Sequence, residues 1–189
     1  MMKKFILASR SPRRQELLKL VIDEFDCIPS AFDEDTLKSL NLSPEELVKR
    51  LSFEKAKEVY ENNKDAIVIG GDTIVVSPKN VVFGIPKDRD EAFFMLKELS
   101  GNTHKVLTGI TIYNEKTLSF VSETEVEFYS LSEKEINEYL DTGEYKDKAG
   151  AYGIQGYAST LVKEIRGDYF NVVGFPVSRF KRELESFLK

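Results

Sequence analysis

In the run Ala66-Ile67-Val68-Ile69-Gly70-Gly71-Asp72-Thr73-Ile74-Val75-Val76, two apolar, largely β-branched arms flank a small polar centre. Such arms read as a buried strand. The centre is the anomaly, because a carboxylate placed there is very costly to bury without a partner. Two readings of it stand side by side. Either Gly-Gly-Asp is a tight turn exposed to solvent, or the glycines let backbone or ligand approach closely while Asp72 holds a hard cation or orients a water.

Outward from this run, strand, loop and helix signals alternate. Upstream, Lys4–Ala8 reads as a short buried strand. Ser11 then reads as an N-cap with Pro12 at the first helical position, opening a helix to about Leu20. Ser43-Pro44-Glu45-Glu46 repeats that signature, and Leu47, Val48, Leu51, Val59 and Tyr60 make a helical stripe that ends at 61–63. Downstream, Asp88 with Glu91 predicts a capping box for a helix to Leu99, closed by Gly101. Thr103–Tyr113 and Leu118–Tyr129 read as strands joined through Asn114–Thr117, and Ser132 with Glu135 caps a helix ending near Gly143. Lys146–Tyr157 is a glycine-punctuated loop. Ser159–Ile165 and Tyr169–Val173 read as strands around the turn Arg166-Gly167-Asp168, and Val177–Leu188 as an amphipathic helix on Val177, Phe180, Leu184 and Phe187. The pattern predicts an α/β protein with a mixed sheet. No repeat or linker divides it, so one domain over residues 1–189, or two small lobes, is expected.

Composition narrows the chemistry. The 189 residues carry 27 Lys plus Arg against 32 Asp plus Glu, a net charge of -5, which argues against broad binding to nucleic acid or anionic membranes. One cysteine, one histidine and no tryptophan exclude a disulfide framework, a Cys/His zinc cluster and a multi-histidine metal site. Any metal is then a hard ion on carboxylates. The start Met1-Met2-Lys3-Lys4-Phe5-Ile6-Leu7-Ala8 has too short an apolar run for export, and no apolar stretch approaches the roughly 20 residues that span a bilayer. A soluble, cytoplasmic protein is expected, and a lone cysteine suits a reducing compartment.

Several side chains ask for more than packing. Arg13 and Arg14 fall in the first turn of their helix, where the macrodipole disfavours cations unless something negative binds. A phosphate there would answer the dipole and both guanidinium groups, with Ser9 and Ser11 adding donors; alternatively both arginines extend into water. Lys55 shares an apolar helix flank with Val48 and Val59. It either snorkels or partners Asp72 and a phosphate. Asp33-Glu34-Asp35 is an acidic cluster in a loop. Tyr152, Gln155 and Tyr157, among Gly150, Gly153 and Gly156, offer aromatic faces and an amide suited to a base, against the simpler reading of a turn-rich connection. His104 is expected to serve packing or surface, and Cys27 to be a small buried hydrophobe.

Taken together, Ser9-Arg10-Ser11-Pro12-Arg13-Arg14, Gly71-Asp72-Thr73-Ile74-Val75, Leu99-Ser100-Gly101-Asn102-Thr103-His104 and Lys148-Ala149-Gly150-Ala151-Tyr152-Gly153-Ile154-Gln155-Gly156 resemble the Maf (septum formation) family in order and over essentially the whole chain. The resemblance implies a Maf/Ham1-like, inosine-triphosphatase-type fold, an elongated mixed sheet with two lobes around a cleft, and a homodimer. It also implies nucleoside triphosphate pyrophosphatase activity with a divalent cation, Mg²⁺ or Mn²⁺. The family's serine-arginine loop falls on Ser9 to Arg14, its acidic pair on Asp33 and Glu34, its helical lysine on Lys55 and its essential aspartate on Asp72. Arg13, Thr73 and Gln155 fall where the branch acting on dTTP and UTP carries its specificity residues, and the Gly-Ile-Gln-Gly run is similar to that branch. In Gly84-Ile85-Pro86-Lys87, isoleucine stands where the family has a lysine, and Lys87 is the candidate to reach the same phosphate.

Pyrophosphate release requires water to attack the α-phosphorus while charge builds on the departing bridging oxygen, so the protein must position and neutralise. On this reading Asp72 and Glu34 hold the metal and Asp72 accepts the proton. Arg13, Arg14, Lys55 and Lys87 clamp the triphosphate, and Thr73, Gln155 and the tyrosines read the base. The alternatives are a nucleotide-sensing regulator of cell division without turnover and a phosphatase releasing orthophosphate.

Overall fold

The computed structural model describes residues 4–38 and 40–189; Met1–Lys3, the start weighed above as an export signal, lie outside them. The elements in chain order are β1 (Lys4–Ala8), α1 (Pro12–Leu18), β2 (Asp26–Cys27), α2 (Asp35–Lys38), α3 (Pro44–Glu61), β3 (Ala66–Val76), β4 (Val82–Phe83), α4 (Arg89–Leu99), β5 (Thr103–Tyr113), β6 (Thr117–Phe128) and α5 (Glu133–Asp141). Three 3-10 turns follow (Glu144–Asp147, Ala149–Ala151 and Gly156–Thr160), then β7 (Val162–Arg166), α6 (Tyr169–Val173) and α7 (Val177–Phe187). The strands make one mixed sheet of seven, ordered β2-β1-β3-β5-β6-β7 with β4 also on β3. β2 and β3 run parallel to β1, whereas β4 and β7 are antiparallel to β3 and β6. The mixed α/β architecture is the one expected. Among the described residues no helix is long and apolar enough to cross a membrane.

The chain divides into two compact units: Met1–Asp72, Thr108–Ser122 and Gly174–Lys189 form one, and Thr73–Leu107 with Glu123–Val173 form the other. In the first, α3 lies on the sheet through Val48, Leu51, Ala56, Val59 and Tyr60, and its core joins Ile6, Ala8, Ala66 and Val68. Ser43 and Glu46 cap it reciprocally, and Pro44 begins it, as the sequence predicts. Two glycines set how near the helix can come: a Cβ at Gly70 would run into the Ser52 carbonyl and Ala56, and one at Gly109 into the Val48 carbonyl. Between these points Ser52 Oγ meets Thr111 Oγ1 at 2.9 Å, a buried polar pin between helix and sheet. α7 buries Phe180, Leu184 and Phe187, the apolar side read from its periodicity.

In the second unit α4 and α5 bury Leu96 and Leu99, and Ile136 and Leu140. The Ser132–Glu135 box is complete, but the one at Asp88 is half formed: Asp88 accepts from Glu91 N while the Glu91 carboxylate takes Lys87 N instead. Two expected strands are corrected. Tyr169–Val173 is α6, because Gly167 turns the chain at φ 130, Asp168 Oδ1 accepts from Phe170 N, and the buried Asn171 amide donates to Val106 O and Thr124 Oγ1. One local bond and two tertiary ones together outweigh the strand preference of Val172 and Val173. The strand expected from Ser159 begins only at Val162, since Ser159 and Thr160 hydroxyls bond back to Gly156 O and Tyr157 O and close a 3-10 turn. Cys27 is exposed, not buried, because β2 is a two-residue edge strand with both side chains outward.

Replacing Gly70 by alanine should destabilise the fold by about 1–3 kcal/mol, the usual toll of forcing atoms into a filled core. Urea unfolding monitored by circular dichroism measures it; an unchanged midpoint would show that α3 can move away from the sheet freely.

Candidate active site

β3 runs unbroken through Gly70-Gly71-Asp72, so the centre of the apolar run is strand and not a turn. Strand alternation then decides who meets whom. Gly70 and Asp72 share the face covered by α3, where Gly70 admits the Ser52–Ala56 backbone and Asp72 meets Lys55. Gly71 points to the other face, where its missing Cβ leaves room for the Arg14 side chain and Ile110.

Lys55 Nζ lies 2.5 Å from Asp72 Oδ1 and 2.7 Å from Glu34 Oε1. Lys55 and Asp72 side chains are each 15% exposed, Glu34 51%. Burial pushes the Asp72 carboxyl above its usual range; Lys55 opposes this, Glu34 adds to it, and Arg14 works with Lys55. Burial acts to lower the Lys55 ammonium, but Asp72 and Glu34 outweigh it and hold the group raised and charged. Lys55 therefore partners Asp72 as the sequence allowed, with Glu34 joining from the segment just before α2.

Arg14 occupies the first turn of α1 but is buried. Its Nε donates to Gly174 O at 3.0 Å and its Nη1 to Ser9 Oγ at 2.8 Å. Burial lowers its pKa, against the pull of Asp72 and Glu34. Ser9 Oγ also accepts from Ser11 N, and Ser11 Oγ accepts from Arg14 N as the N-cap. Ser9, Ser11 and Arg14 are thus one knot, of which only the Ser11 cap was legible; the Ser9 and Gly174 partners of Arg14 were not, since nothing in the sequence ties either residue to the Arg14 side chain. Arg13 follows Pro12 in the same turn and contributes positive potential at Arg14.

Thr73, Lys87 and Gln155 belong to the second unit. Lys87 is exposed beside Asp88, and Ile85, at the position of the family lysine, is 59% exposed. Gln155 is exposed just before the Gly156–Thr160 turn. Tyr152, read as a face for the base, is instead buried, with its hydroxyl 2.7 Å from His104 Nε2, while Tyr157 stays exposed. Gly150 N donates to Gly84 O at 3.0 Å, which ties the loop of Gln155 to the loop of Lys87.

Among the described residues no three His, Cys, Asp or Glu side chains form a metal-binding group. Two carboxylates suffice for Mg²⁺ when substrate phosphates complete its shell. Asp72 and Glu34 supply hard oxygens that already converge on one cationic nitrogen, and such a donor set fits a hard divalent ion.

A mixed α/β fold whose central strand and covering helix pair a carboxylate with a lysine, joined by a second carboxylate from the segment before α2 and beside a serine-arginine knot, can hold a polyanion together with its cation. The profile of the Maf-like protein family matches residues 4–187, and the chain belongs to that family. It is 49% identical over 187 residues to a dTTP/UTP pyrophosphatase of Bacillus cereus (strain G9842), covering 98% of this chain and 96% of that one. It is 50% identical over 185 residues to a dTTP/UTP pyrophosphatase of Geobacillus sp. (strain WCH70), covering 97% and 98%. The fold is similar to the crystal structure of a nucleoside-triphosphatase / dITP/XTP pyrophosphatase from Mycobacterium abscessus, with a TM-score of 0.50 and 11% identity over 97% of both chains.

Burial pushes the His104 imidazole down to about 3 from its ordinary 6.5. Its folded value is depressed, so the stability gained by keeping it neutral is complete above pH 6.5 and drains as pH falls towards 3. Over that window wild type should lose up to about 1.4 kcal/mol per pH unit more than His104→Phe, the slope of one extra proton bound on unfolding. Urea midpoints at pH 7, 5 and 4 for the two proteins test this; parallel curves would refute it.

Proposed function

We propose that this protein is a nucleoside triphosphate pyrophosphatase that hydrolyses dTTP and UTP to the monophosphate and pyrophosphate, with residues 1–189 acting as one catalytic domain. The observation that carries the reading is the Lys55 ammonium drawn between Asp72 and Glu34 at 2.5 and 2.7 Å, in a chain about half identical to named dTTP/UTP pyrophosphatases.

Water attacks the α-phosphorus, the new phosphorus–oxygen bond forms, and the bond to the bridging oxygen of pyrophosphate breaks. Asp72 takes the proton from that water. Burial raises its carboxyl, which makes it a better base than an ordinary aspartate, and Lys55 and Arg14 oppose that shift. Lys55, with Arg13 and Arg14, neutralises charge on the phosphate chain, and the Ser9–Ser11 knot orients it. Lys87 supplies the cation that the family's lysine would bring at position 85. Asp72 and Glu34 would hold Mg²⁺ or Mn²⁺, which when bound polarises phosphate oxygens and acidifies a water. Thr73, Arg13 and Gln155 select the base. The protein works in the cytoplasm as a homodimer, and its net charge of -5 suits neither nucleic acid nor anionic membrane.

Incubation with dTTP, UTP and GTP plus Mg²⁺ tests the reaction directly. Pyrophosphate and the monophosphate should accumulate from the pyrimidine nucleotides; orthophosphate alone would mean a phosphatase, and no product a nucleotide sensor. Asp72→Asn should lower kcat by roughly 10²–10⁴-fold, the span of general-base contributions. Lys87→Ala should cost roughly tenfold to a hundredfold in kcat/KM, the worth of one charge-assisted hydrogen bond; an unaltered value would place Lys87 outside the site.

A further inference from the structure

We propose that His104 is a positioning residue for base selection: its bond to the Tyr152 hydroxyl sets the loop from Gly150 to Gln155 so that Gln155 presents its amide to the nucleobase in one register. This rests on the nucleotide reading above, and in particular on Gln155 facing the base.

The chain's single histidine takes no part in the hydrolysis just described. It is 1% exposed, and its ring meets Phe128 and Tyr152 edge-on at 5.0 and 5.4 Å, with Phe128 and Tyr152 also edge-on at 4.8 Å. Packing alone would be served by phenylalanine at both 104 and 152. Instead Nε2 lies 2.7 Å from the Tyr152 hydroxyl, while Nδ1 is buried with no hydrogen-bond partner among the described residues. A polar pair that leaves one nitrogen unsatisfied is a poor stabiliser. Its remaining effect is direction: it fixes where the phenol ends, and with it the backbone at 152.

That backbone needs fixing. Gly150 has φ 68, and Ala151 has φ 64, a left-handed conformation that a residue with a Cβ holds only when its surroundings impose it. Three tethers impose it. Gly150 N bonds Gly84 O, at a place where a Cβ would run into Val75; Tyr152 bonds His104; and Tyr157 N donates to the Glu144 carboxylate at 3.1 Å. Between the last two tethers Ile154 turns inward and Gln155 outward. An amide recognises a base through paired, directional bonds, so a small rotation of this segment weakens discrimination.

The test measures binding of the α,β-methylene analogues of UTP and GTP by calorimetry, and kcat/KM on UTP and GTP. The proteins are wild type, His104→Phe, Tyr152→Phe, the double variant, His104→Gln, and His104→Phe on a Gln155→Ala background. Loss of the one bond should shrink the UTP-over-GTP preference about threefold to tenfold in either single variant, the range of a single hydrogen bond. The double variant should be no worse than the singles. His104→Gln should keep the preference, because its amide still reaches the phenol, and on Gln155→Ala the His104 substitution should have no further effect. Equal losses on both nucleotides, additive losses, or an effect that persists without Gln155 would overturn the proposal, as would a wild type that binds both analogues equally. Should His104→Phe fail to fold, Tyr152→Phe decides alone. A wild type that releases no pyrophosphate but prefers the UTP analogue through this bond refutes the hydrolytic reading and leaves this one standing.

Discussion

Asp72 lies midway along an apolar strand, and the ammonium of Lys55 is the cation that makes that position tolerable. Much of the first unit is arranged around bringing the two together. A lysine on a helix reaches a strand residue at 2.5 Å only if the helix lies close, and closeness is what Gly70 and Gly109 provide by presenting bare backbone to Ser52 and Val48. The Ser52–Thr111 hydroxyl contact then blocks α3 from sliding along the sheet. A hydrophobic interface alone is indifferent to such slips, whereas a polar pin and an ion pair are not. Even so, the pair does not fully offset desolvation, since Asp72 remains pushed above an ordinary aspartate. A carboxylate left partly uncompensated stabilises the fold less than an apolar residue would, and gains basicity in exchange.

Two adjacent glycines do two separate jobs. Gly70 faces α3; Gly71, on the opposite face, leaves room for the Arg14 side chain, which reaches Gly174 O and Ser9 Oγ. Alternation along β3 therefore places a lysine on one side of the Gly-Gly-Asp segment and an arginine on the other, and both charges act on Asp72. The helix of Arg14 has only seven residues, so its dipole is a weaker part of the explanation than the buried guanidinium itself. The first-turn arginine that looked unfavourable beside a helix start is stabilised from outside that helix, by a carbonyl 160 positions away in the chain.

What could be read in advance follows from the range of the forces involved. Capping boxes, proline at the first helical turn and the apolar side of α7 are local signals, and they placed α3, α5 and α7 well. The meeting of Lys55 with Asp72 was legible because both broke an apolar pattern, whereas the acidic cluster said little by itself, and only the fold brings Glu34 to Lys55. Failures came where a tertiary partner outweighed local preference. Val172 and Val173 favour a strand, yet the Asn171 amide bonded to Val106 O and Thr124 Oγ1 requires the turn of α6. Cys27 is exposed because an edge strand of two residues cannot bury both its side chains. Tyr152 looked like a face for a base, and only the fold could reveal that His104, forty-eight positions earlier, claims its hydroxyl.

The contrast between the two groups of residues has a physical reason. Lys55 and Asp72 lie on a helix and a strand whose geometry is enforced by many backbone bonds, which suits the proposed hydrolysis, a reaction that tolerates little displacement. Gln155 lies on a loop, where a change of side chain disturbs no ladder, and loops are where selectivity can be altered without rebuilding a core. A loop has the opposite weakness, since nothing in its own backbone holds it still. Positive φ at Ala151, an alanine and not a glycine, shows that this one is nevertheless held in a single unfavourable conformation. A carbonyl at Gly84, a carboxylate at Glu144 and a buried imidazole at residue 104 do that holding. Of these the imidazole is the odd member, for it holds the loop through one ring nitrogen while the other stays without a hydrogen-bond partner among the described residues.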